Sequence, residues 1–273
     1  MDYMCSDTDI TAHKGAEEAL RKSKEELEVR VRERTAELER SNRELEEFAF
    51  VASHDLRDPL RKIQAFVDLL VRKSGSSLNE QSLDYVNRIE KSAARMQMLL
   101  TSILDYSRVS TKATPFKTVD LNKTVEVALS NLEIAIKKKA ATVEVDRLPS
   151  IEGDRVQMIQ LFQNLIGNAL KYHREDEPPV AKIYSKPVSE GTPGGKAAYD
   201  IFVEDNGIGF DEKFLDQIFN PFQRLHGKDQ YEGIGMGLAI CRKIVGRHGG
   251  SITAKSTPGK GSTFIVTLPV KQT

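Results

Sequence analysis

Between Ala16 and Glu47 the chain carries no proline and no glycine, is almost wholly charged or polar, and admits apolar residues at a regular heptad spacing. One seam position holds Leu20, Leu27, Arg34, Ser41 and Phe48, and the other holds Lys24, Val31, Leu38, Leu45 and Ala52. Most seam places are apolar, so the pattern predicts a helix that buries a narrow stripe against a second helix, as in a dimeric coiled coil. A solvated single helix is the alternative, but long isolated helices are rarely stable without a partner. Upstream, "SDTDITAHKGAEEAL" reads as a domain exit with Asp9 or Thr11 as the helix-capping side chain.

Apolar periodicity continues through Phe66, Leu69 and Leu70 and stops at "KSGSS", a turn signal. A second helix is expected from about Asn79 to Val109, with Leu83, Val86, Ile89 or Glu90, Ala93, Met96 or Gln97, Leu100, Ile103 and Leu104 as its stripe. A two-helix hairpin alone buries one face only. Dimerisation into a four-helix bundle completes the burial.

The polar stretch "STKATP", Ser110 to Pro115, marks a boundary beyond which elements are shorter and mixed. Helices are expected at about Leu121–Lys139, Asp154–Tyr172 and Gly235–His248, and strands near Thr142–Val145, Ala181–Ser185, Ala198–Glu204, Ser251–Lys255 and Ser262–Leu268. This is a helix layer on a sheet. "SEGTPGGK" reads as a hairpin loop, and Asn206–Met236 as a long functional loop or lid. The fold class expected is therefore multidomain α and α+β: a coiled coil and dimeric helical hairpin, then an α/β sandwich.

Forty Lys and Arg balance forty Asp and Glu, so no global field draws in nucleic acid or an anionic membrane. Cys5 and Cys241 form no disulfide framework, and no Cys/His cluster suggests zinc. No apolar run approaches the roughly 20 residues that span a bilayer, so a cytoplasmic setting without membrane insertion by this segment is the simplest expectation.

Three stretches carry chemistry. In "FQNLIGNALKYH", Asn164, Asn168, Lys171 and Tyr172 share one helix face beside a stripe of Met158, Phe162, Leu165 and Ala169. Amide oxygens suit a hard cation and an ammonium suits phosphate, although an ordinary polar helix face looks the same. In "EDNGIGF", Asp205 ends an apolar strand and Gly207 and Gly209 follow, which fits either a ligand approach or a simple turn. In "EGIGMGLAICRKIVGRHGG", Gly233, Gly235 and Gly237 open a helix whose N-terminus suits an anion, without the pattern of a P-loop or a Rossmann site.

Taken in order, these stretches closely resemble the sensor histidine kinases of two-component signalling across about Ser41–Pro269. "SHDLRDPL" resembles their phosphoacceptor box, "NLIGNALKY" their asparagine box, "DNGIG" and "GIGMGL" their nucleotide-binding glycine boxes, "IFNPFQRLHG" their lid segment and "GKGSTF" their last glycine motif. The resemblance implies residues 1–15 as the exit of an upstream PAS-like sensor, 16–47 as a signalling coiled coil, 48–112 as the dimerisation and phosphotransfer hairpin, and 113–273 as the ATP-binding domain. It implies ATP and Mg2+ as ligands, a homodimer, and a response regulator as partner. Asn168, assisted by Asn164, would bind the metal, with Lys171 on phosphate and Tyr172 beside the nucleotide. Asp205 would read the adenine amine in a pocket shaped by Gly207 and Gly209. Gly233, Gly235 and Gly237 would close a lid from which Arg224 reaches the γ-phosphate, with Phe219 and Phe222 as lid anchors.

The same resemblance makes His54 the nucleophile and Asp55 the carboxylate that orients it. Pro59 would loosen the helix nearby. His13, His173, His226 and His248 lack an acidic neighbour of this kind and are expected to be structural or surface residues, and Arg57 is a surface charge or a phosphate-steering one. A Bergerat-type hydrolase is the alternative, disfavoured because Asn164 stands where those enzymes carry a water-activating glutamate. A second alternative is an ATP-inactive phosphotransfer scaffold. Relatives that dephosphorylate their regulator carry Thr or Asn four residues after the histidine, and this chain has Asp58.

Overall fold

The computed structural model describes residues 5–74, 77–111, 114–188, 197–225, 231 and 233–272. The expected turn at Gly75, the "SEGTPGGK" loop and part of the lid lie outside them, as do His226 and the side chain of His13. Two compact units are present, residues 1–49 and 50–273.

Helix α1 spans Cys5–Ser74 without interruption. Asp9 and Thr11 therefore lie within the helix and do not cap its start. In the first unit the helix surface is laced with ion pairs one turn apart, among them Arg21–Glu25, Lys24–Glu28 and Arg40–Glu44. Each such exposed pair stabilises a helix by about 0.2–0.5 kcal/mol. The seam residues Leu20, Leu27 and Val31 remain exposed to solvent in the single chain.

In the second unit α1 continues through Pro59, and α2 spans Glu80–Thr111. Leu60 and Val67 on α1 and Val86, Ala93 and Leu104 on α2 are buried. Ile63, Phe66, Leu70, Ile89 and Met96 stay exposed, which leaves a second apolar face on the hairpin. No helix among the described residues is long and apolar enough to cross a membrane.

The sandwich has a five-stranded sheet in the order β2-β4-β5-β7-β6, formed by β2 (Thr142–Val145), β4 (Val180–Pro187), β5 (Ala198–Asp205), β6 (Ser251–Thr257) and β7 (Gly261–Pro269). Only the β2–β4 pair is parallel. Period-two alternation puts Ala181, Ile183, Ile201, Val203, Phe264 and Val266 in the core. The opposite face carries Tyr184 stacked on Phe202 at 4.8 Å. Two short strands absent from the sequence expectation, β1 (Lys117–Asp120) and β3 (Ser150–Gly153), pair antiparallel.

Helices α5 (Arg155–Lys171) and α7 (Gly237–Arg247) close the core from one side, with α3 (Leu121–Asn131) against α5. The helix expected over Leu121–Lys139 is broken at Leu132, whose φ of −102° and ψ of 3° separate α3 from α4, Glu133–Lys138. A short α6, Leu215–Ile218, also went unforeseen, since four residues are too few to set a period.

Asp154 caps α5 and joins it to the linker. Its Oδ1 accepts from Val156 and Gln157 N–H at 3.0 and 3.3 Å, and its Oδ2 accepts from Thr114 N–H at 2.9 Å with Arg247 Nη1 at 3.4 Å. Beside it His248 is fully buried. Its Nδ1–H donates to Ile244 O at 2.7 Å, which leaves Nε2 to accept Asp154 N–H at 3.0 Å. Burial holds the ring below the usual imidazole range, so it is a neutral structural residue, as expected. Asp154→Ala removes the α5 cap, leaves Thr114 N–H without its acceptor and takes one partner from Arg247, and is expected to cost about 2 kcal/mol in urea unfolding of the whole chain.

Candidate functional site

The cap and the packed face of α5 decide where its other face points. Met158, Phe162, Leu165 and Ile166 are buried in the core. Asn164, Asn168 and Lys171 then line one side of an open cavity with about 1560 Å³ of empty volume, together with Gly233, Gly235 and Gly237. A second cavity of about 620 Å³ is lined by Asp205, Gly209, Ile208, Phe210, Arg224 and Ser262. Asn168, Tyr172, Ile218, Gln223 and Leu238 line both, so the two spaces adjoin.

At the foot of the smaller cavity, Asp205 ends β5. Its Oδ1 accepts from Gly207 N–H at 2.8 Å and Ser262 N–H at 3.2 Å. Burial nevertheless pushes its carboxyl up to about 6; the two N–H groups oppose that rise and Glu204 adds to it. Gly207 does not line the cavity. It sits behind Asp205, where a Cβ would lie 2.3 Å from Tyr172 O. Gly209 has a φ of +60°, and a Cβ there would lie 2.1 Å from Thr257 O, so only glycine serves.

In the larger cavity the Lys171 ammonium donates to Tyr172 Oη at 2.8 Å and lies 4.3 Å from the Tyr172 ring centroid. The start of α7 has no side-chain cap, which leaves its first N–H groups at the Gly237 end of the cavity. Asn164 Nδ2 is buried and turned toward the Cys241 thiol, with no oxygen acceptor. No three His, Cys, Asp or Glu side chains cluster among the described residues. A hard cation at this face would therefore take amide oxygens of Asn168 and Asn164, completed by oxygens of a bound anion; Asn164 Oδ1 lies beside Gly237 on the cavity wall, which is the oxygen chemistry such a cation needs.

Arg224 donates to Gly233 O at 2.9 Å and also to Tyr231 O, so its guanidinium ties two stretches of the lid's second half together. Phe219 is a buried lid anchor as expected. Phe222 is half exposed, with a φ of +63°, and anchors instead through its backbone N–H to Gly235 O at 3.0 Å. Cys241 is buried under this site, and burial pushes its thiol up to about 12, which leaves it unreactive.

His54 and Asp55 lie outside both cavities. Both are well exposed on α1, with His54 Nδ1 at 3.2 Å from Asp55 Oδ1. The larger cavity is bounded instead by α2, through Gln97, Met98, Thr101, Ser102 and Asp105. No sequence signal marks that face of α2 as part of the site. Burial raises Asp105 above the usual carboxylate range against the opposing charges of Arg108 and Arg57. Ser262, Gln223 and Ile208 were also missed; "GKGSTF" and the lid motif were the available signals.

Two family models match the chain and between them cover more than half of it. Residues 44–112 match the His Kinase A (phospho-acceptor) domain, and residues 153–272 match the histidine kinase-, DNA gyrase B- and HSP90-like ATPase. The phytochrome-like protein Cph1 of Synechocystis is 39% identical over 256 residues, which is 92% of this chain and 33% of that protein. Cyanobacterial phytochrome A of Nostoc is 41% identical over 234 residues, 86% of this chain and 30% of that protein. The chain thus spans about a third of the length of these curated relatives. Full-length ShkA, solved in complex with AMPPNP, shares the fold at a TM-score of 0.61 and 22% identity, over 82% of this chain and 45% of that one. Acinetobacter baumannii AdeS does so at 0.53 and 20%, over 80% of this chain and 98% of that one.

The raised Asp205 carboxyl has a measurable sign. A folded-state value near 6, above the 3.8 of the unfolded chain, gives stability that is fully present below pH 3.8 and lost as pH rises through 6. Unfolding free energies measured from pH 4 to 7 are expected to fall more steeply with pH for the wild type than for Asp205→Asn.

Proposed function

This chain belongs to the sensor histidine kinases, and from that premise we propose that it transfers the γ-phosphoryl group of ATP to His54 and then to an aspartate of a response regulator. The observation that carries this reading is the pair of adjoining cavities. A partly buried carboxylate, Asp205, stands in the smaller one, and two amides with an ammonium stand in the larger.

In that reading the smaller space takes the base, with the ionised Asp205 accepting from an exocyclic amine. Lys171 and the open N-terminus of α7 hold the phosphates, while Arg224 lines the base space and ties the lid backbone at Gly233. Asn168, with Asn164, holds Mg2+, which when bound neutralises charge on the phosphates. Phosphoryl transfer passes through a loose transition state, so positioning and charge neutralisation outweigh strong acid chemistry.

His54 reacts as a neutral imidazole. With Nδ1–H turned to Asp55 Oδ1, the lone pair is on Nε2, which faces away from the carboxylate and attacks phosphorus. Asp55 takes or stabilises the departing Nδ1 proton. Asn164, an amide, cannot activate water as a glutamate would, which favours transfer over hydrolysis.

The exposed seam of α1 and the exposed second face of the hairpin support a homodimer in which both are covered. Use of ATP sets the reaction in the cytoplasm. Residues 1–15 would connect to a PAS-like sensor, 16–47 form the coiled coil, 48–112 the phosphotransfer hairpin and 113–273 the ATP-binding domain.

Incubation with γ-labelled ATP and Mg2+ is expected to give acid-labile, alkali-stable label on the wild type. His54→Gln should abolish it, Asn168→Asp should lower it about 100-fold or more, and Asp55→Asn about 10- to 100-fold. Label persisting in His54→Gln would refute the site. Asp58 is exposed with Arg61 at 3.3 Å, and its carboxylate repels an acyl phosphate. Regulator dephosphorylation in the presence of ADP is therefore expected to be weak and to rise in Asp58→Thr.

A further inference from the structure

Behind Asp205 lies a pair of buried hydroxyls that the reaction above does not use. Ser256 on β6 and Ser262 on β7 are both buried, with their Oγ atoms 3.0 Å apart. Ser256 Oγ accepts Phe210 N–H at 2.8 Å and donates to Gly261 O at 2.9 Å. Its own backbone N–H donates to Glu212 Oε1 at 3.1 Å, which fixes the residue from a second side.

A carbonyl has no proton to give, so the contact with Gly261 consumes the single hydroxyl proton of Ser256. The contact between the two serines then runs in one direction: Ser262 Oγ–H donates and Ser256 Oγ accepts. Ser262 lines the smaller cavity beside Asp205, and its N–H is already given to Asp205 Oδ1. With its hydroxyl proton turned inward as well, Ser262 Oγ has only lone pairs to offer a ligand. The base end of the site thus presents two acceptors together, the Asp205 carboxylate and the Ser262 hydroxyl oxygen.

We propose that Ser256 is a positioning residue for base selection: by taking the Ser262 proton it makes Ser262 Oγ an acceptor beside Asp205, so the cavity favours a purine bearing a 6-amino group over one bearing a 6-oxo group. The inference rests on the nucleotide reading of the smaller cavity. A 6-amino group donates to such a pair, whereas a 6-oxo group meets oxygen with oxygen and leaves buried acceptors unpaired.

The test is titration of the whole chain with Mg-ADP and with Mg-IDP, read as the ratio of the two affinities. Ser262→Ala removes an acceptor and is expected to lower the ADP preference about five-fold or more. Were Ser262 a donor toward the ligand, the same change would raise the preference, and that result overturns the inference. Ser256→Ala releases the Ser262 proton toward the cavity and is expected to lower the preference about ten-fold, while Ser256→Thr, which keeps the hydroxyl, retains it. Simple loosening of the pocket weakens both nucleotides together and leaves the ratio unchanged, which also overturns the inference. In the double variant the change at Ser256 is expected to add nothing to that at Ser262. A wild type that binds neither nucleotide overturns the nucleotide reading and the inference with it; a wild type that binds ADP, with unchanged ratios in both alanine variants, overturns the inference alone.

Discussion

Helix α5 presses Met158, Phe162, Leu165 and Ile166 into the sheet so fully that none is more than 1% exposed. Because side chains on a helix repeat every 3.6 residues, fixing that face fixes the direction of Asn164, Asn168 and Lys171 as well. The core is close-packed, and any rotation of α5 would open voids that cost several kcal/mol. Asp154 stops the helix from sliding at one end. At the other, Lys139 donates to Leu170 O at 2.9 Å and holds the final turn from which Lys171 and Tyr172 project. The polar face proposed to meet the ligand is therefore fixed by the same packing that holds the apolar face behind it.

What was legible in the sequence follows from where the signal is carried. The five strands of the main sheet and α5 were readable because alternation and 3.6-residue periods persist over enough residues to be counted. The asparagine and glycine stretches were readable because their residue types are rare in combination. The unreadable parts are those set by distant neighbours. Strands β1 and β3 are four residues each and exist because they pair with each other across about thirty residues of chain. The break at Leu132 carries no glycine or proline, so nothing local announces it. Asp9 and Thr11 are good capping residues, yet local propensity lost to helix propagation from Cys5 onward. The inward turn of the Ser262 proton depends on a carbonyl and an N–H from two other segments, and no pattern of residue types could reveal it.

The two halves of the proposed chemistry sit in opposite environments. Asp205 is a carboxylate under strain from desolvation, and it gains by meeting a donor. His54 and Asp55 are open to water, where a partner protein has access. The face of the cavity that looks toward the hairpin meets α2 rather than His54. In the arrangement described here, nucleotide binding and phosphoryl acceptance are thus separate, and transfer in the proposed reaction requires the sandwich to change its seat on the hairpin.

How far it can travel is set by the tie at Thr114. Helix α2 ends at Thr111, and Thr114 is held on the sandwich by its N–H to Asp154 and its carbonyl to Arg247 Nη2 at 2.9 Å. Three residue steps separate those points, a leash of about 11 Å at full stretch. On so short a leash the ATP-binding domain never experiences dilution: whatever the concentration of the protein, its local concentration about the hairpin stays in the millimolar range or above. Encounter between the two is then assured by covalent geometry, and what remains for a signal to adjust is orientation alone.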